Sequence, residues 1–273
     1  MKLLQNVDRR IIYLLVFLAL AIPMLKPIGL PFSINEPSQK FFDKVEALKP
    51  GDVVLLSFDY SPSGSAQLDP QARAVLKHVF SKEGVKVVTV AFWPSGPLFS
   101  DKFIAELDGT HNKVYGEDYV SLGYIAGGET AISSVAKNIH QSFSVDRRGN
   151  KVSQIPMMKN IKSAADFNLM ISFSSGTPGI PEHIRQIVTV YGTPFVSGMN
   201  SVSVAGNTPF YNAGQMVGYL NGLRGAAEYE KLMGEAGPAT ASMDSLSFSH
   251  LTVIIFILLG NIAYFTSPDR KKR

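Results

Sequence analysis

The sequence predicts an α/β fold: a single doubly wound, mainly parallel sheet (Rossmann-like, about five strands) flanked by N- and C-terminal transmembrane helices. Three observations predict it. Short apolar runs alternate with helical patterns between residues 52 and 197. The runs carry apolar residues at both parities, as strands buried on both faces do. Two longer apolar segments bracket them, residues 11–32 (IIYLLVFLALAIPMLKPIGLPF) and 248–267 (FSHLTVIIFILLGNIAYFTS).

About 20 helical residues cross a hydrocarbon core of roughly 30 Å. The second segment has that length, with Asn261 as its one strongly polar interior residue; the first is interrupted by Pro23, Lys26 and Pro27. No small-x-small cleavage pattern follows the first run, which favours an uncleaved anchor over a signal peptide. Lys2, Arg9 and Arg10 precede the first segment and Arg270, Lys271, Lys272 and Arg273 follow the second, whereas residues 237–247 hold no Lys or Arg. The positive-inside rule then puts both termini in the cytoplasm and the main domain outside the cytoplasmic (inner) membrane. The expected order is a cytoplasmic N-terminus (1–10), transmembrane helix 1 (11–32), an extracytoplasmic α/β domain (36–236), a linker (237–247), transmembrane helix 2 (248–267) and a basic cytoplasmic tail (268–273).

The pI near 9.1 invites a nucleic-acid reading, and the distribution of charge removes it. Residues 36–246 hold 18 basic and 20 acidic side chains, so the positive excess belongs to the anchors. With no cysteine, disulfide scaffolds, zinc ribbons and cysteine nucleophiles are excluded.

Residues 52–58 (DVVLLSF) form the first expected strand, followed by a polar loop and a helix to about Lys82 that has Asp69 as N-cap and Pro70 at its first position. Residues 86–92 (KVVTVAF) make the second strand and 101–107 a short helix. Residues 119–125 (YVSLGYI) follow as a strand, then 129–143 as a helix entered through Gly127 and Gly128. Residues 145–163 read as a surface insertion. The fourth strand is 169–173 (LMISF), followed by a helix at 180–191, and 194–197 opens the fifth strand. Strand order is not readable from these patterns.

Open α/β sheets bind ligands at the carboxyl ends of their strands. There the loops read Asp59 to Ser65, Trp93 to Gly96, Ala126 to Glu129 and Ser174 to Gly179, rich in Gly and Ser and leading into helix N-termini. Asp59, Ser63, Ser65, Trp93, Glu129, Ser175 and Thr177 are therefore the ligand-binding candidates. Asp59 and Glu129 are the acid or base candidates, although carboxylates placed so more often cap helices. No GxGxxG follows the first strand, and neither GxxxxGK[ST] nor GxSxG occurs. The histidines, at 78, 111, 140, 183 and 250, show no ligand spacing, so neither a cofactor nor a metal is expected.

Residues 212–233 (NAGQMVGYLNGLRGAAEYEKLM) read as one final helix bearing Gly214, Gly218, Gly222 and Gly225 in a stripe. Interior glycines cost about 1 kcal/mol each relative to Ala, so such a stripe implies a close contact, either between subunits or against the domain's own sheet. Gly260 and Asn261 form a small-plus-polar pair suited to helix association. The leading expectation is a non-enzymatic two-pass membrane protein whose domain is an interaction or assembly module, as a homo-oligomer or with a membrane-protein partner. The alternative is an extracytoplasmic small-ligand sensor or hydrolase-like enzyme with its site at the strand ends.

Overall fold

The computed structural model describes residues 8–107 and 109–265. The expected tail at 268–273 and its arginines and lysines lie outside the described residues, as do residues 1–7, 266 and 267. The chain divides into two compact units, one of residues 33–235 and one of residues 1–32 with 236–273.

The first unit is a three-layer α/β domain. Helix α1 (Glu36–Glu46) precedes β1 (Val53–Asp59), α2 (Ser65–Ser81), β2 (Lys86–Ala91), α3 (Gly96–Leu107) and β3 (Tyr119–Tyr124). Then come α4 (Glu129–Lys137), α5 (Ile139–Ser142), β4 (Leu169–Ser174), α6 (Ile180–His183), a π turn (Ile184–Val188) and α7 (Thr189–Tyr191). The chain of this unit closes with β5 (Phe195–Met199), α8 (Val204–Asn212), β6 (Gly218–Asn221) and α9 (Gly222–Leu232). All strand pairs are parallel, in the order β3-β2-β1-β4-β5-β6. This is the 3-2-1-4-5-6 order of doubly wound sheets, with the switch point between β1 and β4.

The period of two divides the strands between two cores. Val53, Leu55, Val88 and Val90 face one, under α4 and the helix from residue 180 to 191. Val54, Leu56, Phe58 and Phe173 face the other, under α1, α2, α3 and α9. Burial of β1 is complete over all seven residues, which is why no alternation was visible in its sequence.

Several expectations need correction. Helix α2 begins at Ser65, so Pro70 lies inside it and Asp69 is not its N-cap. The 129–143 helix breaks at Asn138, whose side chain caps α5 by accepting from the Gln141 N–H. The insertion is only half a surface excursion: beyond the turn at 145–151, a run of 3-10 turns buries Val152, Ile155, Met157, Met158 and Ile161 in the first core. The expected helix over 212–233 does not exist as one element. Asn212 ends α8, Gly214 turns the chain at φ +74°, Gly218 opens a sixth strand, and only Gly222 and Gly225 belong to α9.

In the second unit, helix Arg9–Leu25 packs along helix Pro238–Phe265. The latter is the one helix among the described residues long and apolar enough to cross a membrane. Its 28 residues absorb the expected linker, because Pro238 is suited to a first helical turn and the alanines after it favour helix. Asp244, 2% exposed, accepts the N–H groups of Ile28 (2.7 Å), Gly29 (2.7 Å) and Leu30 (3.0 Å). Ser245 Oγ donates to the Leu20 carbonyl at 2.9 Å. Asn261 and Gly260 lie on an exposed face of this helix, and, its chain neighbours and own helix backbone aside, no atom of the described residues approaches within 4 Å of where a Gly260 Cβ would be.

Candidate functional site

The inward positions of the central strands turn polar toward their carboxyl ends. Ser57, Ser172 and Ser197 stand side by side across β1, β4 and β5, and Asp59 stands beside Ser174. Against this row lies His183 of α6, fully enclosed like Asp59. The Asp59 carboxylate accepts from Ser57 Oγ (2.5 Å), the Phe92 N–H (2.8 Å) and His183 Nε2 (2.8 Å). The His183–Asp59 contact is a donation from Nε2 in the ring tautomer that carries its proton there. Asp59 therefore joins β1, the segment after β2 and α6 from within the core. The residue has no exposure to the cleft.

Glu129 lies elsewhere. It sits in the first turn of α4, where Arg185 Nε and Nη2 both donate to it at 2.9 Å and Gln186 Nε2 at 2.9 Å. Those bonds, from Arg185 first and Gln186 second, hold its carboxyl down at about 2. The pair is open to solvent and contributes little to stability. Glu129 and Asp59 bind different partners and do not form a carboxylate pair.

Trp93 braces the β4 loop. Its Nε1 donates to the Pro178 carbonyl at 2.8 Å and its ring covers Gly176, where a Cβ would meet ring carbons at 3.1 and 3.3 Å. Exposed Ser63 shares a hydrogen bond with Ser61 (2.8 Å), and Ser65 Oγ donates to the Pro62 carbonyl (2.8 Å), so both shape the turn into α2. Ser175 lies against Gly64, and its N–H donates to the Asp59 carbonyl at 3.2 Å. These loops gather Ser63, Ser65, Trp93, Ser175 and Thr177 at the β1–β4 end of the sheet. Glu129 is linked to the β4 loop through Arg185, which also donates to Glu182 (2.8 Å), whose carboxylate accepts the Gly179 N–H (2.8 Å).

An open cavity of about 230 Å³ lies next to them, between the β4 loop and the segment leaving β5. Ser174, Thr177, Ser203 and Asn207 supply its polar wall, and Ile180, Pro181 and Val202 its apolar one. Among the described residues no charged side chain lines it. Asn207 donates through Nδ2 to the Ser203 carbonyl at 2.8 Å, while its buried Oδ1 has no partner. Gly206 also lines the cavity from α8, and, its chain neighbours and own helix backbone aside, no atom of the described residues lies within 4 Å of where its Cβ would stand.

Two glutamines place the β5 and β6 ends over α2. Gln71, fully buried, donates to the carbonyls of Met199 (3.1 Å) and Gly222 (2.8 Å), and Gln67 Oε1 accepts the Ser201 N–H at 2.9 Å. Sequence reasoning missed both, along with His183, Ser203, Gly206 and Asn207. One signal was present for the polar row: serine or aspartate at alternate positions (Ser57 and Asp59, Ser172 and Ser174) in otherwise apolar strands. Among the described residues no group of three or more His, Asp or Glu is arranged to hold a metal ion.

The four glycines do not share a face. Around Gly218 a Cβ would meet backbone of α1, around Gly222 the side chains of Ser201 and Gln67, and around Gly225 the backbone of Leu220, while around Gly214 it would meet nothing. Compared with protein-family models and with curated proteins, the chain matches none.

Proposed function

We propose that the α/β domain is a binding module for a small, uncharged, hydroxylated molecule, received in the cavity between the β4 and β5 ends. Gly206 carries this reading. A glycine inside a helix costs about 1 kcal/mol relative to alanine, and here no neighbouring protein atom requires it. The space that its missing side chain leaves adjoins the cavity. The polar wall offers the hydroxyls of Ser174, Thr177 and Ser203 and the side chain of Asn207, groups that suit a hydroxylated ligand. A neutral wall gives a charged ligand no compensation for its lost hydration. The location at strand carboxyl ends fits the general rule for such sheets.

Gly206→Ala is expected to raise stability by up to ~1 kcal/mol, read from the thermal midpoint of the full-length protein in mild detergent. Gly206→Trp should fill the cavity. Native mass spectra of the wild type extracted in the same detergent should show a small adduct that vanishes on denaturation and is missing from the Trp variant. A wild type without any adduct, or a Trp variant that keeps it, removes the proposal.

We further propose that helices Arg9–Leu25 and Pro238–Phe265 form a two-pass anchor, with both termini cytoplasmic and the α/β domain outside. Support comes from the apolar side chains both helices expose, among them Tyr13, Phe17, Ile254 and Leu258, and from the basic residues beyond them. A role in assembly retains one support, the exposed Asn261 amide beside the open Gly260. Because the chain has no cysteine, single-cysteine labelling has no background. Ser63→Cys should react with a membrane-impermeant maleimide on intact cells, and Lys2→Cys and Lys272→Cys only after permeabilisation; the reverse pattern would invert the topology.

A further inference from the structure

A second cavity, of about 260 Å³, lies beyond the β3 edge of the sheet, between α3 and the turn at 145–151. It shares no lining residue with the cavity at the β4 and β5 ends. The turn is held firmly. Asp146, 5% exposed, accepts from Tyr115 Oη (2.7 Å), Asn150 Nδ2 (3.0 Å) and the N–H groups of Arg148 (2.9 Å) and Asn150 (2.7 Å). The Arg147 N–H donates to the Ser121 carbonyl on β3 at 2.9 Å. Four donors thus occupy the Asp146 carboxylate, and it does not line the cavity.

What does line the cavity is rich in donors. The Arg148 guanidinium lies 3.6 Å from the centroid of the Tyr115 ring and has no carboxylate partner among the described residues. Arg147 uses Nε on Asp101 at 3.0 Å, in a pair open to solvent, which leaves its other N–H groups available. Ser121, 4% exposed, presents a buried Oγ with no partner. Among the described residues two guanidinium groups therefore face one carboxylate, that of Asp101, across a wall with an unused hydroxyl. A guanidinium stacked on a ring is already oriented, so little side-chain freedom is lost when it binds.

We propose that this cavity is a binding site for an oxyanion group, phosphate or carboxylate, carried by a small molecule. Arg148 and Arg147 supply the charge and Ser121 a hydroxyl donor. The stacked guanidinium suits a planar fork to two oxygens, and the serine hydroxyl a third contact deeper in the wall.

Equilibrium dialysis of the full-length protein in non-ionic detergent tests this with two probes, radiolabelled orthophosphate and radiolabelled citrate. At least one should bind saturably at one per chain, and which of them does separates phosphate from carboxylate. Arg148→Gln should weaken that binding about tenfold or more, and Ser121→Ala severalfold, as loss of a charged and a neutral hydrogen bond would. Arg148 is exposed, so Arg148→Gln should keep the wild-type thermal midpoint and its loss of binding should not reflect unfolding. Saturable binding of neither probe, or a double variant Arg147→Gln, Arg148→Gln that binds like the wild type, would overturn the proposal.

Discussion

Asp59→Ala is expected to destabilise the α/β domain by several kcal/mol, at about 1–3 kcal/mol for each buried donor left without an acceptor. The carboxylate has no exposure and serves three donors from three segments: Ser57 on β1, the Phe92 N–H after β2 and His183 on α6. Truncation leaves all three buried without an acceptor. His183 fares worst, because its Nδ1 already has no partner and Nε2 would then have none either. Asp59→Asn should cost less, since one amide oxygen still accepts while the NH₂ group turns toward a donor. Ser63→Ala, on the exposed turn that follows, should stay within about 0.5 kcal/mol of the wild type. Thermal and urea unfolding of the full-length protein, followed by circular dichroism, would rank the three. A wild-type midpoint for Asp59→Ala would show that the enclosed network does not hold these segments together.

The same residue shows what could be read from the sequence and what could not. Asp59 was visible as a carboxylate at a strand end, because the apolar run before it marks β1 without ambiguity. Its role was hidden, because the partner that decides it is His183, 124 positions away in sequence. Five strands were legible from runs of Val, Ile, Leu and Phe. The sixth was not: in Gly218–Asn221 only Gly218 and Leu220 are buried, and glycines spaced four apart imitate a helical stripe. Strand order depends on contacts between distant segments, and periodicity carries no trace of it. Of the cavity between the β4 and β5 ends, Thr177 alone was among the sequence candidates, because residues 198–211 carry no motif or strong periodicity. Ser203, Gly206 and Asn207 lie within that stretch, on α8 and the turn before it.

Gly218→Ala should destabilise the domain by about 1–3 kcal/mol or more while leaving the mass of the detergent-extracted particle unchanged. The added Cβ would overlap the Phe41 nitrogen and stand 2.7 Å from the Pro37 carbonyl oxygen and 2.8 Å from the Phe41 Cα. All three atoms are backbone of α1, so no rotamer change relieves the overlap and the helix itself must shift away from β6. Gly214 is the control. It lies in a turn at φ +74° with nothing within 4 Å of a Cβ, so Gly214→Ala should cost only the strain of a left-handed conformation, about 1–2 kcal/mol. If the glycines instead served a contact between subunits, substitution at 218 would lower the particle mass and spare the midpoint. The close approach to Phe41 predicts the opposite, a lowered midpoint at constant mass, because β6 and α1 belong to one domain and must come together whether or not a second chain is present.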